Sequence, residues 1–300
     1  MENHEQTKHI AIEQNIRQSA FGVLEALLYS SVFISCCAFG LTVETYLLKG
    51  LEVSMSLALF VFLATLFTYN ISSIQSIIRR PQQAKAHLSK EWGQRHKKLL
   101  AMIGAASVAG AGLLYVSQGL DVNVWFMLHL GIISVGYTVP IVNKKEKVRP
   151  LRSIPLLKVF LIAYVWAAVT VLFPLMDADV NAWNLDTLLL FIRRFLLILA
   201  LALLFDIRDY VYDRGTKTLT IPGLLGVQKA KLCSLGLLLI YLLLVINTES
   251  GSTLVALAVG ATGAAGVVVF STAHKPRLYY ALLADGAMLL HAALVYLAKI

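Results

Sequence analysis

Apolar stretches of about twenty residues recur from one end of the chain to the other, separated by short polar connections. Their spacing predicts membrane-crossing helices near 21–43, 53–78, 99–117, 122–142, 154–175, 187–210, 231–247, 252–271 and 279–298. The fourth and fifth are the least regular, broken by Pro140 and Pro155. The fold class this implies is all-α: a polytopic membrane protein with a single bundle of about nine transmembrane helices. Residues 1–20 form a polar tail and 21–300 one transmembrane domain. Composition agrees, since 58% hydrophobic and 14% charged residues among 300 do not describe an ordinary soluble domain.

A net charge of +9 raises the question of nucleic acid, and its placement answers it. Arg79, Arg80, Lys85, Lys90, Arg95, Lys97 and Lys98 crowd the loop after the second stretch. Lys144, Lys145, Lys147, Arg149 and Arg152 follow the fourth, and Arg208, Arg214, Lys217, Lys229 and Lys231 the sixth. The alternate connections hold Glu44, Glu52, Asp121, Asp177, Asp179, Asp186 and Glu249. That alternation is a topology signal: amino terminus and basic loops cytoplasmic, carboxyl terminus outside, with no nucleic-acid partner implied. The expected location is the plasma (inner) membrane of a bacterium. Cys36, Cys37 and Cys233 lie in or beside apolar stretches and read as small packing side chains, not a disulfide framework.

Candidate chemistry concentrates where the sixth stretch ends. In Phe205-Asp206-Ile207-Arg208-Asp209-Tyr210-Val211-Tyr212-Asp213-Arg214, the three aspartates fall within an arc of about 60° on a helix. A self-repelling carboxylate face of that kind suits a hard cation such as Mg2+, or else is a solvated helix end balanced by Arg208 and Arg214. Lys158, one turn inside the fifth stretch, either snorkels or points at an anion in a cavity. Asn70 and Tyr137 are polar groups near the same membrane surface on two other stretches. The loop 79–98, with a helix expected from Gln82 to Trp92, suits a lid or interfacial segment. His129 reads as a packed or hydrogen-bonded histidine, Glu25 as an interfacial carboxylate, and Arg193 and Arg194 as partners of Asp186 or Asp179. Asp285, an acid inside the last stretch, stands open as a contributor to the same cavity.

In this order the features resemble the UbiA family of intramembrane prenyltransferases over essentially the whole chain. Asp206-x-x-Asp209-x-x-x-Asp213 followed by Thr220-Ile221-Pro222-x-x-x-Gly226 is similar to the family's second acidic motif and its trailing loop. Tyr137-Thr138-Val139-Pro140, Lys158 and Trp166 resemble its tyrosine–lysine region, and Tyr69-Asn70 the start of its first motif. There the pattern asks for acids one, four and eight residues after the asparagine, and this chain has Ile71, Ile74 and Ile78. The resemblance implies a lipid-facing cavity that holds a prenyl diphosphate and a lipophilic acceptor. It assigns Mg2+ to Asp206, Asp209 and Asp213, catalysis to Asp206, Asp209 and Lys158, and substrate binding to Asn70, Tyr137, Lys158 and Arg208. Arg79 supplies a cation where the second metal ion is missing. Two functions follow: a prenyltransferase with one acidic cluster, or a non-catalytic relative that binds an isoprenoid or anionic lipid or scaffolds a partner. A transporter has less support, because no inverted repeat is legible.

Overall fold

The computed structural model describes residues 22–79, 88–138, 140–144, 147–150, 156–181, 183–215 and 218–300. The polar tail lies outside them. Helix α1 (22–29) is followed by α2 (Val32–Lys49), α3 (Met55–Arg79), α4 (Leu88–Arg95), α5 (Lys97–Ser117) and α6 (Val124–Thr138). Next come α7 (Leu157–Asp177), α8 (Leu185–Arg208), α9 (Tyr210–Gly215), α10 (Ile221–Leu225), α11 (Val227–Thr248), α12 (Gly251–Phe270) and α13 (Arg277–Lys299). Eight of these are long and apolar enough to cross a membrane, and α6 is a shorter apolar helix. Among the described residues the departure from all-helical structure is one antiparallel hairpin, β1 (Pro140–Lys144) with β2 (Lys147–Pro150). Pro140 has no N–H to continue α6, so the helix stops before it.

The bundle closes on itself. α2 packs on α3, α3 on α5 and α6, α6 on α7, α7 on α8, α8 on α11, then α11 on α12, α12 on α13 and α13 back on α2. α8 runs through the middle: every residue from Leu197 to Leu204 is buried, as expected for a helix apolar on all sides. Around the rim Met102, Leu113, Val116, Trp125, Leu232 and Leu297 stand exposed, a surface that a bilayer solvates and water does not. On α12, a Cβ at Gly260 would lie 2.8 Å from Cδ2 of His291, so only glycine lets α13 come this close.

Three local features shape the bundle in ways hydropathy does not report. The first stretch is broken at Ser30–Ser31, where Ser31 has φ 68°, and helix resumes to Lys49, six residues past the expected end. Gly50, at φ 62°, caps it in the left-handed region that glycine adopts without penalty. In α7, Pro174 offers no N–H to the Thr170 carbonyl, and the helix widens into a π-turn over Ala168–Leu172. Thr45 Oγ1 donates to that carbonyl at 2.6 Å. A second π-turn, Tyr280–Ala284, interrupts α13 immediately before Asp285. In the loop a helix covers Leu88–Arg95, overlapping the expected one, and 80–87, with its expected start at Gln82, lie outside the described residues.

Candidate functional site

The aspartate-rich segment begins on the last turns of α8 and continues through Asp209 into α9. Asp209 N donates to the Phe205 carbonyl at 3.0 Å and Asp213 N to the Asp209 carbonyl at 2.8 Å, so the chain keeps a helical course across the break. Asp206 is buried and accepts from Lys158 Nζ at 2.7 Å, joining α8 to the first turn of α7. Arg208 donates through Nε and Nη2 to both oxygens of Asp209, at 2.9 and 2.8 Å. Its guanidinium rests 5.0 Å from the centre of the Phe205 ring. Arg277, opening α13, approaches Asp209 at 4.0 Å. Tyr137 lies within electrostatic range of Lys158 and Arg208. Lys158, Arg208, Asp206, Asp209, Asp213 and Tyr137 thus meet at one end of the bundle.

The carboxylates beyond the span differ in character. Burial works to raise Asp209, but the two hydrogen bonds and charge of Arg208 outweigh it and hold the group below the usual carboxylate range. Burial pushes Asp213 up to about 6; Asp209 and Asp206 add to this, against Lys158 and Arg208.

Asn70 does not join this group. Its amide nitrogen donates to the carbonyls of Ser30 at 3.1 Å and Leu66 at 2.9 Å, bridging the α1–α2 break. The face of α3 that looks into the neighbouring cavity is one residue round, at Tyr69, Ser73 and Ile77. Ile78 is 70% exposed on the outside of the helix, so carboxylates at 74 and 78 would not complete the cavity wall. The Arg79 side chain lies outside the described residues. Trp166 Nε1 donates to Tyr69 Oη at 3.2 Å, their rings edge to face at 6.4 Å. The cavity, about 270 Å3, also has Tyr29, Arg277 and Asp285 on its wall.

Neither Arg193 nor Arg194 reaches Asp186 or Asp179. Arg194, fully buried, donates to Glu44 Oε1 at 2.9 Å and to the Leu41 carbonyl at 3.1 Å. Glu44 Oε2 lies 3.0 Å from His291 Nδ1, and His291 Nε2 lies 2.6 Å from Tyr241 Oη. Arg193 donates to Glu249 at 2.7 Å and Thr248 at 2.8 Å. Glu44, read as a loop acid, belongs to the interior because α2 runs on to Gly50, the stop signal that could have revealed it. His129 is hydrogen-bonded as expected, Nε2 to Tyr164 Oη at 3.2 Å.

Thr220, Pro222 and Gly226 have local structural roles. Thr220 Oγ1 caps α10 by accepting from Gly223 N at 3.3 Å, Pro222 occupies the first turn, and Gly226 ends it at φ 83°.

No family model matches the chain, and no curated protein sequence does. Solved structures do. A UbiA homolog from Aeropyrum pernix K1 superposes with a TM-score of 0.56 over 89% of this chain and 96% of that one, at 16% identity. A digeranylgeranylglyceryl phosphate synthase does so with a TM-score of 0.50 over 92% and 99%, at 13% identity. The chain has the UbiA fold. Within it the described residues do not fit the two-cluster Mg2+ arrangement that the fold suggests. They contain no group of three or more acidic, histidine or cysteine side chains placed to hold a metal ion. Asp206 and Asp209 are each already bound to a cation, and the first acidic position is apolar.

Proposed function

We propose that the protein is an intramembrane prenyltransferase of the UbiA type that holds a prenyl diphosphate through Lys158, Arg208 and Arg277. One observation carries this reading: α7, α8 and α13 each bring one cation to a single carboxylate segment at the basic end of the bundle. A diphosphate arriving there shares these cations with Asp206 and Asp209, so neither carboxylate is left uncompensated. As the bond between the allylic carbon and the diphosphate oxygen breaks, the electron pair leaves with the diphosphate. The three cations stabilise the charge that develops on it. The allylic carbon then bonds to a lipophilic acceptor, which releases a proton. Tyr137, within electrostatic range of Lys158 and Arg208, supports this reading as an aromatic side chain at the same end of the bundle.

A second reading, a non-catalytic relative that retains the isoprenoid anion, is favoured by Ile71, Ile74 and Ile78 standing where the family has acids. One assay separates the two: purified protein in lipid nanodiscs, farnesyl or geranylgeranyl diphosphate, and a membrane lipid extract as acceptor source. Diphosphate release is followed with Mg2+ and with EDTA. Transfer by cations predicts release in both conditions, lowered about a hundredfold by Lys158→Ala or Arg208→Ala and unchanged by Asp186→Asn at the far end. Release abolished by EDTA overturns the cation reading and returns Mg2+ to Asp206, Asp209 and Asp213. Saturable binding with no release establishes the non-catalytic relative.

A further inference from the structure

The 270 Å3 cavity carries a feature that binding a diphosphate leaves unexplained. Among the described residues Asp285 is the one carboxylate on its wall, projecting from α13 directly after the π-turn Tyr280–Ala284. Among the described residues its carboxylate has neither a hydrogen-bond nor an ion-pair partner. The cation within electrostatic range, Arg208, is already bound to Asp209. Arg277, at the cavity edge, lies 4.0 Å from Asp209. A carboxylate without a partner at membrane depth is costly, and the cost is relieved by a proton, a metal ion or an organic cation. Among the described residues Asp285 belongs to no group of three or more acidic, histidine or cysteine side chains placed to hold a metal ion. The space is also far larger than an ion needs. A cavity of about 150 Å3 accommodates benzene, so this one takes a molecule of one or two rings.

The rest of the wall selects among such molecules. Tyr29, Phe33 and Tyr69 bring three aromatic rings to it, whose negative faces attract cations, and Ile34 and Ile77 add hydrocarbon. Phe33 packs against the backbone beside the acid, since a Cβ at Gly286 would stand 3.6 Å from its Cζ. We propose that this cavity is a binding site for a lipophilic amine, with the ammonium on Asp285 and the apolar body against Phe33, Ile34 and Ile77. It adjoins the diphosphate site, with Arg277 common to both, and does not require prenyl transfer to occur.

The test uses tritiated phenethylamine on the purified full-length protein in nanodiscs, with 2-phenylethanol as the uncharged competitor of the same shape. Saturable binding to the wild type is expected, displaced by unlabelled amine and not by the alcohol. Asp285→Asn should weaken it at least tenfold, while Lys158→Ala leaves it intact. Ile34→Trp, which fills the apolar side, should also block it and decides the matter if the asparagine variant does not purify folded. No saturable amine binding, equal displacement by the alcohol, or unchanged binding in Asp285→Asn or Ile34→Trp would overturn the proposal. Diphosphate release scored on the same samples keeps failure of the transfer reading distinct from failure of this one.

Discussion

Asp213 shows how one side chain reports on its surroundings. It stands one turn beyond Asp209, and burial together with two neighbouring aspartates raises it to about 6 from the ordinary 3.8. Between those values the folded chain keeps a proton that the unfolded chain has released, so this group's contribution to stability falls as pH rises from about 4 to about 6. Asp209 acts in the opposite sense. Its group is held below the usual range, so its contribution is present at neutral pH and is lost as pH falls through the folded value. Asp213→Asn should therefore raise the unfolding temperature relative to wild type at pH 7 and give little advantage at pH 4. A gain of equal size at both pH values, measured by thermal unfolding in detergent, would show that the aspartate is not strained by its charge.

At the scale of helices, two ionic junctions hold the bundle at opposite ends. Near the acidic connections, Glu44 of α2 joins Arg194 of α8 to His291 of α13, with Tyr241 of α11 behind. Removing the Glu44 charge leaves the buried Arg194 guanidinium uncompensated, which costs about 3–5 kcal/mol. Glu44→Gln should lower the unfolding temperature sharply. Glu44→Leu with Arg194→Met should recover most of the loss, because a matched apolar pair replaces two desolvated charges. If the double variant is no better than the single one, the junction contributes more than mutual neutralisation. The π-turns act at this scale too. One accommodates Pro174 and the other precedes Asp285, and both lie where α7 and α13 meet the polar clusters.

For the whole molecule the open matter of topology turns on α6. Its fifteen residues span about 22 Å, against ~30 Å of hydrocarbon. Three crossings by α5, α6 and α7 put Lys90 and Asp179 on opposite sides; two put them on the same side. The alternation of basic and acidic connections predicts three, with the basic end expected on the cytoplasmic side. Reporter fusions at Lys90 and Asp179 should accordingly mark different compartments. One shared compartment would mean that α6 does not cross and that the hairpin after it lies on the other face.

The helices were legible because each must bury its own backbone hydrogen bonds in lipid, and long apolar runs are the direct mark of that demand. The gathering of Lys158, Tyr137 and the three aspartates was also legible, since polar groups at one depth on neighbouring helices have one shared interior to face. Azimuth was not. Tyr69, Ser73 and Ile77, not Asn70, Ile74 and Ile78, look into the cavity, and a rotation of one residue leaves hydropathy unchanged. Partner choice was hidden for the same reason: Arg194 meets Glu44 across 150 positions, and Asp206 meets Lys158 across 48. Sequence placed these charges at a depth, and only the packing of helix on helix decided which of them neutralise each other and which, like Asp285, are left facing an open space.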